Sequence, residues 1–105
     1  MQRTSLKSLQ VARITRTRRG LTVAREVPIT VTYDGIQFDQ AFFADIIVNG
    51  CVILELKSVE KIIPVHNKQL LTYLRLANMR LGLLINFGNP HIGEGITRVV
   101  NGLNE

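Results

Sequence analysis

At 105 residues and 46% hydrophobic content, the chain can bury one core but not a core plus a separate lobe. Its one cysteine, Cys51, excludes an intramolecular disulfide and a thiolate metal cluster, and no apolar run reaches the roughly 18 residues that span a bilayer. The net charge of +5 is uneven: residues 1 to 25 carry Arg3, Lys7, Arg13, Arg16, Arg18, Arg19 and Arg25 with no acid, against six basic and eight acidic residues in the remainder. These bounds predict a cytoplasmic protein with no membrane partner, and Cys51 reads as a small core thiol.

In chain order, residues 1–19 lack a clean period and read as a basic arm, either a frayed helix or disordered. Clustered Arg and Lys replace condensed counterions on phosphates, so the arm suits nucleic acid without base specificity; a solvated tail is the plainer alternative. Residues 20–105 read as a single domain. Val23, Val27, Ile29, Val31 and Tyr33 are β-formers, and Asp34-Gly35 turns them into Ile36 and Phe38 as a first hairpin. Two further strands, Phe42 to Val48 and Cys51 to Lys57, flank Asn49-Gly50 and are apolar at nearly every position, which predicts a central sheet covered on both faces. Pro64 starts a helix over 65–78, whose Leu70, Leu74 and Ala77 share a stripe that Leu71 widens. A buried strand follows at Leu81 to Phe87, then an edge strand over Thr97 to Val100, and the strand after the helix can lie parallel to one before it.

Asp45 and Glu55 stand out in these apolar strands, because carboxylates are rarely buried without a partner or a metal. Glu55 and Lys57 are two apart and share a strand face. Whether Asp45 joins them depends on the turn. A strict two-residue loop at Asn49-Gly50 sets Asp45 opposite Leu54 and away from Glu55. A three-residue loop, Val48-Asn49-Gly50, instead pairs Asp45 with Ile53 and leaves Glu55 as a diagonal neighbour on the same face. Two carboxylates and a lysine on one face suit phosphodiester hydrolysis: hard oxygens hold Mg²⁺, and a lysine can orient water or stabilise charge on the phosphate. The alternative is a buried ion pair between Lys57 and one carboxylate. On the helix, His66, Gln69 and Tyr73 form a polar stripe, read either as part of the site or as the ordinary wet side; His66 is a candidate base or simply solvated.

Ala44-Asp45 followed by Ile53-Leu54-Glu55-Leu56-Lys57 resembles the D and ExK halves of the PD-(D/E)XK nuclease motif, with Ala44 in the place of the eponymous proline. Phe43 to Phe87, especially Leu54 to Glu60, Gln69 to Arg75 and Gly82 to Phe87, resembles the small bacterial GxxExxY proteins of that superfamily, with the similarity running from Gly20 to Val100. The resemblance implies an α/β, restriction-endonuclease-like mixed central sheet with one main helix. It also implies metal ligation by Asp45, Glu55 and the Leu56 carbonyl, catalysis by Lys57, and a QxxxY element in Gln69 and Tyr73 beside the site. The helix that names the GxxExxY group is missing or divergent, since nothing before Glu26 is acidic.

The expected activity is Mg²⁺- or Mn²⁺-dependent hydrolysis of DNA or RNA, with the metal held weakly because a ligand is lost unless Glu26 or Glu60 replaces it. The alternative is a catalytically impaired, nuclease-derived module for nucleic-acid binding or assembly. Loss of the first helix also predicts apolar sheet surface for a second copy of the chain to cover.

Overall fold

β-Branched and aromatic residues fill the first half of the chain, interrupted by turn dipeptides, and they fold into a run of antiparallel strands. The computed structural model describes residues 13–88 and 90–102. Strand β1 (Arg13–Arg16) pairs antiparallel with β2 (Thr22–Tyr33), β2 with β3 (Ile36–Val48), and β3 with β4 (Val52–Lys57). Helix α1 (Pro64–Ala77) carries the chain to β5 (Leu81–Asn86), which lies parallel to β4; a 3₁₀ turn (Ile92–Gly95) then leads to antiparallel β6 (Ile96–Val100). The six strands stand in sequence order in one mixed sheet. This is the α/β, restriction-endonuclease-like architecture expected, with one main helix and a parallel strand pair bridged by it.

Local chemistry places the joints. Asp34 and Gly35 both have left-handed backbone (φ 54° and 77°) and close a two-residue hairpin with Tyr33 opposite Ile36. Pro64 opens α1, where its missing N–H costs nothing, and His66 Nδ1 accepts the N–H of Ile63 at 2.9 Å. Asn78 closes the helix at φ 57°, followed by Met79 N–H donating to the Leu74 carbonyl at 2.8 Å.

The core lies between α1 and the sheet: Leu70, Tyr73 and Leu74 of the helix meet Ile29, Ala44, Ile53, Leu84 and Val99. Ile53, Leu70, Leu74 and Leu84 are fully enclosed, and truncating any of them to alanine costs about 2–5 kcal/mol. The leucine stripe of α1 is as expected, but Tyr73 belongs to the core rather than to the wet side.

Three expectations are corrected. Residues 13–16 are neither frayed helix nor disordered: they form β1, in register with β2 from Arg13 opposite Arg25 to Arg16 opposite Thr22. Of the rest of the basic arm, residues 17–19 lie in the turn that follows β1, and residues 1–12 lie outside the described residues. Cys51 is exposed rather than in the core, because it sits in the β3–β4 turn and β4 begins one residue later. The sheet is covered by helix on one face only among the described residues; on the other, Leu56, Ile96 and Val100 are exposed while Leu54, Leu83 and Ile85 are half-buried. Apolar residues at every position signalled two faces that avoid water, but among the described residues α1 is the one α-helix to meet them.

Candidate active site

The β3–β4 turn decides whether the carboxylates meet. It is a three-residue loop, but the loop is Asn49-Gly50-Cys51: Cys51 N–H donates to the Val48 carbonyl at 2.9 Å, and Val48 stands opposite Val52. Both Asn49 and Gly50 are left-handed, at φ 53° and 64°. The register runs Val48 to Val52, Ile47 to Ile53 and Ile46 to Leu54, where the pairing ends, so that Asp45 and Glu55 are the next residues on the two strands. The loop is thus one residue later than Val48-Asn49-Gly50, and Ile53 stands opposite Ile47 rather than Asp45.

At that step the ladder changes character. The N–H of Asp45 donates to Glu55 Oε2 at 3.0 Å, and the N–H of Leu56 donates to Asp45 Oδ2 at 2.8 Å. Each carboxylate takes a backbone donor of the opposite strand, and such charge-assisted bonds fix side-chain direction better than neutral ones. Disruption on the other edge of β3 accompanies this. Ile47 and Ala44 both pack into the α1-side core although they are three residues apart, so the pleat is interrupted between them. Glu26 of β2 stands at the interruption with φ 52°, in the gap between the Arg25–Ile46 and Val27–Ala44 pairs.

Glu55 retains only 4% exposure, and its carboxyl is pushed up to about 7 from 4.5. Burial is the main cause; the Asp45 N–H opposes it, the charge of Asp45 raises it further and that of Lys57 lowers it. Lys57 Nζ donates to Gln69 Oε1 at 2.9 Å, and Gln69 Nε2 donates to the Tyr73 hydroxyl oxygen at 3.2 Å. Lys57 therefore bonds a neutral amide on α1 in place of the expected ion-pair alternative. Burial, then the charge of Glu55, raise the pKa of Tyr73, so its O–H keeps its proton as a donor. Phe42 holds the ring at a centroid distance of 5.4 Å. His66 is committed to the start of α1.

Below the interruption a cleft of ≈ 400 Å³ is lined by Arg25, Glu26, Asp45, Ile46 and Leu56. Asp45 is therefore reached from the cleft as well as from Glu55. Alternation along β4 gives the same result for the Leu56 backbone: Lys57 accepts the Phe87 N–H through its carbonyl, on the β5 side, so the Leu56 N–H and carbonyl point to the β3 side.

A family model, that of the PD-(D/E)XK nuclease superfamily, matches residues 10–99. The chain belongs to that superfamily. No curated protein and no solved structure matches it. The superfamily match begins in the basic segment and takes in β1, so the similarity extends further toward the N-terminus than Gly20.

PD-(D/E)XK nucleases generally use divalent metals, and the donor set here fits a hard cation. Two carboxylates retain oxygens beyond those that take the N–H bonds, and the main-chain carbonyl of Leu56, the residue after Glu55, points to the β3 side of β4. Glu26 lines the cleft beside Asp45, but no three His, Cys, Asp or Glu side chains converge among the described residues. Sequence reasoning missed Asn86: it is 2% exposed, and its Oδ1 accepts the N–H of Val59 and of Gly88, both at 3.0 Å, tying the exit of β4 to the end of β5. The one signal for it was an asparagine in an otherwise apolar strand.

Proposed function

We propose that this chain hydrolyses phosphodiester bonds of DNA or RNA with Mg²⁺ or Mn²⁺, as a GxxExxY-type member of its superfamily acting in the cytoplasm. The observation that supports the reading is the hydrogen-bonded contact between Asp45 and Glu55 across β3 and β4, with Lys57 two residues beyond Glu55 on its strand. In this reading Asp45, Glu55 and the Leu56 carbonyl ligate the cation, and its remaining positions take water or substrate phosphate, so its affinity is weak. When bound, the cation supplies charge stabilisation and a more acidic water. Lys57 donates to the attacking water or to a phosphate oxygen, while Gln69, itself bonded to Tyr73, sets the height of the ammonium above the sheet. Calorimetric titration with Mg²⁺ and Mn²⁺ tests this. We expect millimolar-order binding that Asp45→Ala abolishes, together with cleavage of a mixed nucleic-acid substrate; no binding at high metal concentration would sink the reading.

Two observations favour the catalytically impaired module as the second reading. No third acidic side chain joins the pair among the described residues, and a Glu55 carboxyl raised to about 7 is partly protonated, hence a poorer ligand, at neutral pH. Salt-sensitive nucleic-acid binding without cleavage would select it. The β5–β6 part of the apolar face opposite α1, with Ile96 and Val100 exposed, supports a further proposal, that a second copy of the chain covers it.

A further inference from the structure

Five arginines, Arg13, Arg16, Arg18, Arg19 and Arg25, fall within a 13-residue span that contains no acid. The eight basic and eight acidic residues elsewhere cancel, so this span accounts for the whole net charge of +5. In the folded chain it is the β1–β2 hairpin at the edge of the sheet. Its turn is ordered by its own hydrogen bonds. Thr17 N–H donates to the Leu21 carbonyl at 2.8 Å, Gly20 N–H to the Thr17 carbonyl at 3.0 Å and Leu21 N–H to Thr17 Oγ1 at 3.0 Å, with Gly20 at φ 87°. The turn end of the hairpin is tied to the β3–β4 turn: Thr22 N–H donates to Asn49 Oδ1 at 2.8 Å and Asn49 N–H to the Thr22 carbonyl at 2.7 Å.

Arg16, Arg18, Arg19 and Arg25 are all exposed. Arginines gathered on one hairpin repel one another, and a polyanion relieves that repulsion. Arg25 also lines the cleft that Asp45 and Leu56 border. Strand rise of about 3.3 Å per residue makes the four-residue β1 about 13 Å long.

We propose that the β1–β2 hairpin is a phosphate track: it holds the backbone of a nucleic-acid substrate beside the cleft, with Arg25 at the cleft mouth, Arg18 and Arg19 of the turn on flanking phosphates, and Arg16 joining them around the open edge of β1 from the other face. This rests on the nuclease reading and names the surface by which that site takes its substrate. Contacts of this kind position without reading bases, so affinity depends on salt and little on sequence.

Fluorescence anisotropy of the full chain with labelled single-stranded and duplex oligonucleotides over a salt series tests it, alongside Mg²⁺ calorimetry. Arg16→Gln/Arg18→Gln/Arg19→Gln should flatten the plot of log affinity against log salt by about 0.7 per lost contact on a single strand or about 0.9 on a duplex, and Arg25→Gln by one contact. Metal binding should be unchanged in both. Arg75→Gln/Arg80→Gln/Arg98→Gln, which removes the same charge elsewhere, should leave the slope as it was. An equal loss in that control would overturn the track in favour of diffuse charge, as would an unchanged slope in the hairpin variants. Metal binding without any nucleic-acid binding by the parent chain also overturns the track, whereas absence of both rejects the nuclease reading beneath it.

Discussion

Glu55 concentrates the cost and the use of this site in one side chain. Its carboxyl, raised from 4.5 to about 7 chiefly by burial, holds a proton in the folded chain that it releases when unfolded. The folded state therefore binds more protons between those values, so the contribution to stability is full below about 4.5 and lost as pH rises through about 7. Urea unfolding at pH 5 and pH 8 should show stability falling by on the order of 3 kcal/mol from this group, and Glu55→Gln should remove the fall. An unchanged fall in Glu55→Gln would assign the pH dependence to another group. Mg²⁺ competes with the same proton, so calorimetric affinity should rise over that interval. Lys57 differs in kind, since it bonds Gln69 and leaves both carboxylates uncovered. Lys57→Ala is expected to reduce cleavage about 10²–10³-fold while leaving Mg²⁺ binding intact; loss of metal binding in that variant would show the lysine to be structural.

At the level of elements, α1 and the exits of β4 and β5 hold these side chains in place. Asn86 Oδ1 gathers the N–H groups of Val59 and Gly88, just beyond Lys57, in a setting with almost no solvent. Asn86→Ala strands two donors, and denaturant unfolding should register a loss of about 2–4 kcal/mol. Gly82 sets the approach of α1: a Cβ there would meet Leu70 side-chain carbons at 2.8–2.9 Å, and Leu70 is fully buried with nowhere to turn. Gly82→Ala should cost about 1–3 kcal/mol by overpacking and displace the helix that carries Gln69. Because Gln69 positions Lys57, cleavage should fall more than the stability loss explains.

Across the whole molecule the two sheet faces are unequal. One is sealed by α1; the other, at the β5–β6 end beyond the cleft, leaves Ile96 and Val100 at 46% and 42% exposure beside half-buried Leu83 and Ile85. Burial of such a surface contributes about 25 cal/mol per Å², a strong incentive to pair two copies across it. Sedimentation of the parent chain should show a dimer that Ile96→Lys/Val100→Lys converts to monomer without loss of secondary structure by circular dichroism. A monomeric parent at high concentration would remove the proposal. Mg²⁺ links to stability at this scale as well: at ten times its dissociation constant it should add about 1.4 kcal/mol, seen as a raised Tm that Asp45→Ala eliminates.

Strand and helix placement was readable from the sequence alone because each rests on local chemistry: Asp34-Gly35 and Asn49-Gly50 where the backbone turns left-handed, Pro64 at a helix start, and the leucine spacing of α1. Glu55 and Lys57 on one face followed from the two-residue period of a strand. The position of Asp45 did not follow, since a one-residue change in turn length reverses every facing along β3, and only the paired strands fix that register. Tertiary pairing also made a strand of Arg13–Arg16, whose sequence has no strong preference until β2 offers its edge. Composition determined that this chain contains two carboxylates too polar for its strands; the pairing of β3 with β4 decided that they meet.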